Sequence, residues 1–454
     1  METRQLVFLA TIVALVACSA PHRMEPMGPS PIVDPNVVPF HAESATSWPD
    51  FRLGGGLNVV VVNPRVPRYL SWRFSAGDRG ISSSPVVYRD QVLIASNDRN
   101  LYDIDAATGT LRWRYLATDQ VMAQPVYADG LAIVAAGGAK CTVCMPPDYV
   151  IGASPTAADR ISAVDLETGR EHWGRTLAGT GMPTPAIVGS SVVHADGSGA
   201  VLALDARTAA FRWVTRLPSV FAMSSVVDGG DGRLYVSGVF GAAVYALRAS
   251  NGALLWTHRL SKFFQGPGDG PMASTKTMLV AQYLQAIEPL RLGWTVTRGS
   301  PVRHHIFALD MRTGRLLWDR VVDTGIAPPR NKSAIPLIYG DRIYEGSPDA
   351  AVMSCLNLST GKRLWQIHTA GPVKGGIVAV DGVLYFGDLK GYLWAVDAKD
   401  GRVVGRLRED LHFNVGSPIV LNGSLIDGSR EGVVIAVPLH AIRNAHDELR
   451  TRSG

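Results

Sequence analysis

Apolar residues in this chain come in short runs of about five, rich in Val, Ile, Leu and Tyr, and the runs recur in pairs without a helical period. Val86-Val87 precedes Val92-Leu93-Ile94, Ala186-Ile187 precedes Val192-Val193, and Ile377-Val378 precedes Val383-Leu384-Tyr385. Ile419-Val420 opens a further pair. Asp-Gly, Asn-Gly and Thr-Gly steps separate the runs, which is the chemistry of hairpins. Each pair leads into a sentence of alanine, any residue, aspartate, two residues, threonine, glycine, three residues, tryptophan. It reads Ala163-Asp165-Thr168-Gly169-Trp173, then Ala203-Asp205-Thr208-Trp213, then Ala308-Asp310-Thr313-Gly314-Trp318. Looser copies are Asp105-Thr108-Gly109-Trp113, Ala246-Gly252-Trp256 and Asn357-Thr360-Gly361-Trp365. The pattern predicts four short strands in a unit of about forty residues, with the Thr-Gly turn between the third strand and the fourth.

One four-stranded antiparallel sheet cannot bury both faces alone, whereas units stacked radially bury each other. The predicted fold is therefore all-β: a β-propeller of four-stranded antiparallel blades. Trp72, Trp113, Trp173, Trp213, Trp256, Trp318 and Trp365 fall at equivalent places on outer strands, as a structural belt packed against the next blade. The unit from about Val373 to Arg408 carries Gly405 where tryptophan is expected, and a last unit to Pro438 has no tryptophan. Tyr69-Leu70-Ser71-Trp72-Arg73-Phe74 is a fourth strand with no blade before it. Pairing that strand into the last unit closes a ring of eight blades and leaves no free edge.

The tryptophan spacing is close to forty except for two intervals near sixty, which hold inserts around Gly137–Arg160 in blade 2 and Gln282–His305 in blade 5. Such inserts fall in loops on one rim, where function is carried. Upstream, residues 1–17 have a short polar start with Arg4 and an apolar run from Leu6 to Val16, too short to span a bilayer, and read as a signal peptide. Leu15-Val16-Ala17-Cys18 resembles a bacterial lipobox with Cys18 as the lipidated residue, and Ser19 resembles the outer-membrane sorting pattern. Residues 18–67 are a proline-rich tether, within which Leu57–Val62 is apolar enough to pack on the outside of the propeller. The propeller occupies 68–440, and 441–454 is a polar C-terminal tail.

Composition adds little to this architecture but narrows the function. With 46% apolar residues, the roughly 380-residue propeller has enough to bury as one large domain. A formal net charge of +5, spread along the chain without basic runs interleaved with aromatics, argues against nucleic acid, as does export. Of the four cysteines, Cys141 and Cys144 stand in the blade 2 insert and read as a local disulfide of an oxidising compartment. Zinc would need two further ligands that the insert lacks, and covalent haem would need His where Met145 stands. Cys355 takes the alanine slot of its repeat and reads as a small core residue. His304-His305 has no spaced carboxylate or His nearby in sequence to complete a metal site, so no metal is expected.

The repeated Ala-x-Asp-x-x-Thr-Gly-x-x-x-Trp resembles the quinoprotein-type (PQQ-like) repeat over residues from about Tyr69 to Pro438. That superfamily holds quinone-cofactor dehydrogenases and non-catalytic lipoproteins of the BamB-like kind, and shared fold does not choose between them. A dehydrogenase would hold pyrroloquinoline quinone and calcium in the mouth of the central funnel. The candidate polar residues there are Asp119, Asp269, Arg330, Asn331, Lys332 and Lys374. The adjacent cysteine pair that caps the cofactor in many such enzymes should fall near Met122-Ala123, where no cysteine occurs. The BamB-like resemblance implies a monomeric scaffold without catalytic residues or cofactor, anchored by lipid to the outer membrane and facing the periplasm. Its partner would be an envelope protein such as a β-barrel assembly subunit. Tyr149, Tyr283, Leu290, Arg291 and Trp294 in the two inserts are the candidate contacts. A PQQ-dependent alcohol or sugar dehydrogenase is the alternative.

Overall fold

The computed structural model describes residues 58–138, 159–219, 221–238, 243–260, 264–265, 270–287, 299–328, 334–413 and 415–447. Eight antiparallel sheets form the blades of a propeller. In blade 1 the strands run outward as Val86–Tyr88, Gln91–Ala95, Asn100–Asp105 and Leu111–Leu116, here called A to D. Strands A and B of this blade are wholly buried between neighbouring blades, whereas D alternates between exposed and half-buried positions. Residues covered on both faces read as continuous apolar runs, and the one-sided D strand does not.

The repeated sentence is a contact between blades, written once in each partner. At the C–D turn of blade 1, Asp105 Oδ1 accepts from the backbone N–H groups of Ala107 and Thr108 and from the Thr108 hydroxyl. Asp165, Asp205, Asp310 and Asn357 hold their own turns through the same threonine contacts. The following glycine, with φ of 72° at Gly109, adopts a conformation L side chains rarely take. A Cβ on Gly109 would stand 2.7 Å from the Trp72 ring of the preceding blade. That tryptophan donates its indole N–H to Ala106 O at 3.0 Å. Trp113, Trp173, Trp213, Trp256, Trp318 and Trp365 each donate likewise to a carbonyl of the next blade, at Leu166, Ala206, Ala249, Met311, Leu358 and Ala398. Six of the seven indoles, all but Trp173, lie over the turn glycine of the next blade while their polar tips are satisfied, which suits a side chain that is apolar with one donor.

The ring closes through the N-terminal strand Trp72–Ser75, which pairs antiparallel with Val433–Pro438 as strand D of blade 8. The physical reason for Gly405 is local. Helix α1, Leu439–Asn444, covers strand D of blade 7, and a Cβ on Gly405 would stand 2.3 Å from the carbonyl oxygens of Ile442 and Arg443. Leu439 and Ile442 are buried there in one apolar cluster with Val404 and Leu407. Restoring the repeat is therefore expected to harm the protein: Gly405→Ala should cost about 1–3 kcal/mol, read by urea unfolding, and Gly405→Trp more. Equal or greater stability in both variants would contradict this packing. Beyond the helix, Arg406 N–H donates to Ala445 O and Arg408 N–H to Asp447 Oδ2, so residues 445 and 447 also lie against blade 7.

The segment read as packing on the outside lies instead against the innermost strands. Val60–Val61 pairs in parallel with Ile419–Leu421, strand A of blade 8. The Asn58 side chain exchanges two hydrogen bonds with the backbone of Ala379 in strand A of blade 7, and Asn63 Nδ2 donates to Arg89 O at the A–B turn of blade 1. Val59 and Val61 are buried. Apolar residues in a segment this short are as well covered on the inner side of the ring as on the outer, and the alternation of burial alone does not say which. No helix among the described residues is long and apolar enough to cross a membrane.

Candidate functional site

Two rims follow from the strand directions. The A–B and C–D turns share one, as shown by Arg112, whose guanidinium reaches both Asp90 and Asp105. The B–C and D–A connections share the other. Both inserts are B–C connections: between Leu131–Ala136 and Arg160–Asp165 in blade 2, and between Met278–Ala286 and Pro301–Asp310 in blade 5. The described ends of both inserts therefore stand on the rim that carries the mouth of the central channel.

The described part of that mouth is lined by all eight blades, from Ser82–Ser84 in blade 1 through Gln124, Thr184, Ser225, Pro271, Ile335 and Lys374 to Val415 in blade 8. Small hydroxyls and apolar side chains draw together there, leaving a cavity of about 30 Å³. That is small against roughly 300–1,000 Å³ for a pocket that encloses a cofactor-sized ligand. Lys374 is the one charged side chain in the described lining. Of the residues read as holding the quinone and calcium, Lys374 alone stands in the described lining. Asp119, read as a funnel residue, is not in this lining; it is buried, its Oδ1 accepts from Gln120 N–H in its own loop, and it lies beside Gly138 at the root of the blade 2 insert. Asp269, Arg330, Asn331 and Lys332 lie outside the described residues, as do Cys18, Cys141, Cys144, Tyr149, Leu290, Arg291 and Trp294.

Tyr283 is not a surface contact. The two middle strands of blade 5 run nine and ten residues, against five and six in blade 1, so residues assigned to the insert belong to the sheet. Tyr283 is buried, stacks on the His305 ring with centroids 4.4 Å apart, and donates its hydroxyl to Asp319 Oδ2 at 2.6 Å. Burial and that carboxylate both raise the phenol far above its usual range. His305 completes the network through Asp319 at 2.8 Å and Gln285 at 3.0 Å.

On the other face of the same blade, His304 is fully buried and meets carboxylates from blades 5 and 6. Its Nδ1 is 3.1 Å from Asp323 Oδ2, its Nε2 is 3.8 Å from Glu345 Oε1, and Asp349 adds a third acid. Burial alone would push the imidazole down, but Asp323, Glu345 and Asp349 together outweigh it and hold the group above its ordinary value. The expectation that no carboxylate completes a group around His304 is overturned: the acids arrive from strand D and from the next blade, where sequence spacing is blind.

A signal for this site was present in the apolar runs. Strand registers place His194, Glu345 and Asp427 at the strand B position held by Ile94 in blade 1 and Phe386 in blade 7. All three are buried at this rim. A titratable residue inside Val192-Val193-His194, Ile343-Tyr344-Glu345 or Leu425-Ile426-Asp427 is costly unless it is paired or neutral. Burial accordingly holds His194 down at about 4, although Asp196 opposes this, and pushes Asp427 up to about 8 against the Gly428 N–H.

The fold and the repeat define a class: an eight-bladed propeller of PQQ-like repeats. Within it, the chain belongs to the family described as outer membrane protein assembly factor BamB, whose profile matches residues 59–219, 223–370 and 302–440. It is 24% identical over 368 residues to outer membrane protein assembly factor BamB of Burkholderia pseudomallei, covering 80% of this chain and 86% of that one. It is also 25% identical over 376 residues to tetrathionate hydrolase of Acidithiobacillus ferrooxidans, covering 80% and 74% respectively. Among solved structures, BamB from Moraxella catarrhalis superposes with a TM-score of 0.59 at 18% identity, over 84% of this chain and 99% of that one. A quinohemoprotein alcohol dehydrogenase from Comamonas testosteroni gives 0.59 at 14% identity, over 91% and 83%. At these identities the structural likenesses speak for the fold alone.

Proposed function

We propose that this chain is a non-catalytic, cofactor-free scaffold of the bacterial envelope, anchored to the outer membrane through Cys18 and facing the periplasm, that docks a protein of outer-membrane β-barrel assembly. The observation that carries the reading is the match of the BamB profile to most of the propeller. In a family described as outer membrane protein assembly factor BamB, we read the surface loops as the working part. A rigid ring presents such loops at little ordering cost. The described ends of both inserts stand on one rim, and Tyr149, Leu290, Arg291 and Trp294 supply the aromatic and arginine chemistry of interface hot spots.

The test is site-specific photo-crosslinking in cells from positions 149, 291 and 294, read by mass spectrometry. Crosslinks to a barrel-assembly subunit, lost on Trp294→Ala, are expected. Their absence at all three positions would remove this form of the proposal. A second reading, an enzyme acting on tetrathionate, is favoured by the 25% identity to the hydrolase together with the buried titratable groups on the insert-bearing rim. Purified protein is expected neither to consume tetrathionate nor to bind pyrroloquinoline quinone with calcium. Turnover in either assay would replace the scaffold reading.

A further inference from the structure

We infer that His304, Asp323 and Asp349 form a binding site for one divalent transition cation, Zn(II) or Mn(II), bridging blades 5 and 6 on the insert-bearing rim. One candidate ligand atom from each residue lies within 4.8 Å of the others. Ligand atoms about 2.0–2.2 Å from a shared ion stand roughly 3–4.4 Å apart, so small side-chain movements complete the coordination. The present 3.1 Å between His304 Nδ1 and Asp323 Oδ2 already has that separation.

The surroundings orient the donors. Ser347 Oγ donates to Asp349 Oδ1 at 2.8 Å and lies 3.3 Å from Asp323 Oδ1, holding one oxygen of each acid and leaving both Oδ2 atoms for the ion. Asp349 Oδ2 is buried without a hydrogen-bond partner. So is His304 Nε2, on a side chain with no exposed surface. With Nδ1 on the metal, the Nε2–H points toward Glu345, 3.8 Å away and itself buried, in the carboxylate–histidine–metal arrangement that fixes ring orientation and tautomer. The charges agree. Among the described residues no Lys or Arg pairs with Asp323 or Asp349, so one imidazole faces two half-buried carboxylates, negative charge that a divalent ion would offset. An imidazole with carboxylates suits zinc or manganese better than the all-oxygen preference of magnesium or calcium.

The test uses the full chain carrying Cys141→Ser and Cys144→Ser, so that the thiols of the blade 2 insert do not contribute, stripped with chelator and titrated with Zn(II) and with Mn(II) by calorimetry. One equivalent of at least one ion, with a rise in unfolding temperature, is expected. Asp349→Asn should weaken binding at least tenfold and abolish the rise, while His305→Gln, on the opposite face of the blade, leaves both unchanged. Cobalt substitution of the parent gives an independent readout, in which a nitrogen-and-oxygen ligand spectrum is expected. No stoichiometric uptake by the parent, or uptake unaltered by both Asp349→Asn and His304→Gln, would overturn the site.

Discussion

A chain beginning at Gly77 is expected to lose its cooperative unfolding transition and to run as soluble oligomers or aggregate by size-exclusion chromatography. That truncation removes Trp72–Ser75, and with it the whole of strand D in blade 8. Val433–Pro438 would become an edge with unpaired backbone groups, and Gly109 in blade 1 would lose the indole it packs on. Buried Leu70 and Ala76 go with the strand. Net stabilities of domains are only about 5–15 kcal/mol, and an open, twisted apolar edge is a template for pairing with another chain. A chain beginning at Arg68 keeps the closing strand and loses only the inner segment, so it should remain monomeric and unfold at a lower temperature than the parent. Adding a peptide of residues 58–76 to the shorter chain should restore a monomer. A monomer with parental melting in the chain from Gly77 would show that closure does not depend on this strand.

Asp427→Asn is expected to be more stable than the parent at pH 8 by several kcal/mol, with the difference vanishing near pH 4. Asp427 is buried in strand B of blade 8, and burial raises its carboxyl to about 8 from an ordinary 3.8, opposed by the Gly428 N–H. For a group whose folded pKa is raised, stability is fully present below the unfolded value and is lost as pH rises toward the folded one. The window is therefore about 4 to 8. At about 1.4 kcal/mol per pH unit the limit is about 6 kcal/mol, which local relaxation would reduce. Asp103, which burial raises to about 7 although Gln91 opposes it, stays in the variant and leaves a residual slope of the same sign. Urea unfolding from pH 4 to 8 measures both chains, and a difference independent of pH would mean that Asp427 is already ionised in the fold.

Much of the architecture was legible because the blade is a local object. Hairpin turns, the Asp-x-x-Thr-Gly cap and the alternation of strand D all act within a few residues, so the sequence carries them openly. Even the closure was legible, since a strand without a blade and a blade without a tryptophan must complement each other. The candidate site was far less so. Tyr283 read as a loop aromatic because nothing in blade 5 announces that its middle strands extend, and Asp119 read as a funnel residue although it lies beside Gly138 and not in the described lining of the mouth. His304 read as isolated because its acids stand 19 to 45 residues away, in another strand and another blade.

By itself, then, the sequence determined the repeating unit, the number of blades, the belt positions and the strand that closes the ring, all consequences of patterns with a period shorter than one blade. Only the tertiary structure decided what meets across the seams between blades. It placed helix α1 over Gly405, the segment from Asn58 on the inner side of the ring, and His304 among Asp323, Glu345 and Asp349. The physical reason is that seam contacts join residues whose separation in sequence depends on loop lengths and blade order. Burial penalties there are offset by partners that no local pattern names.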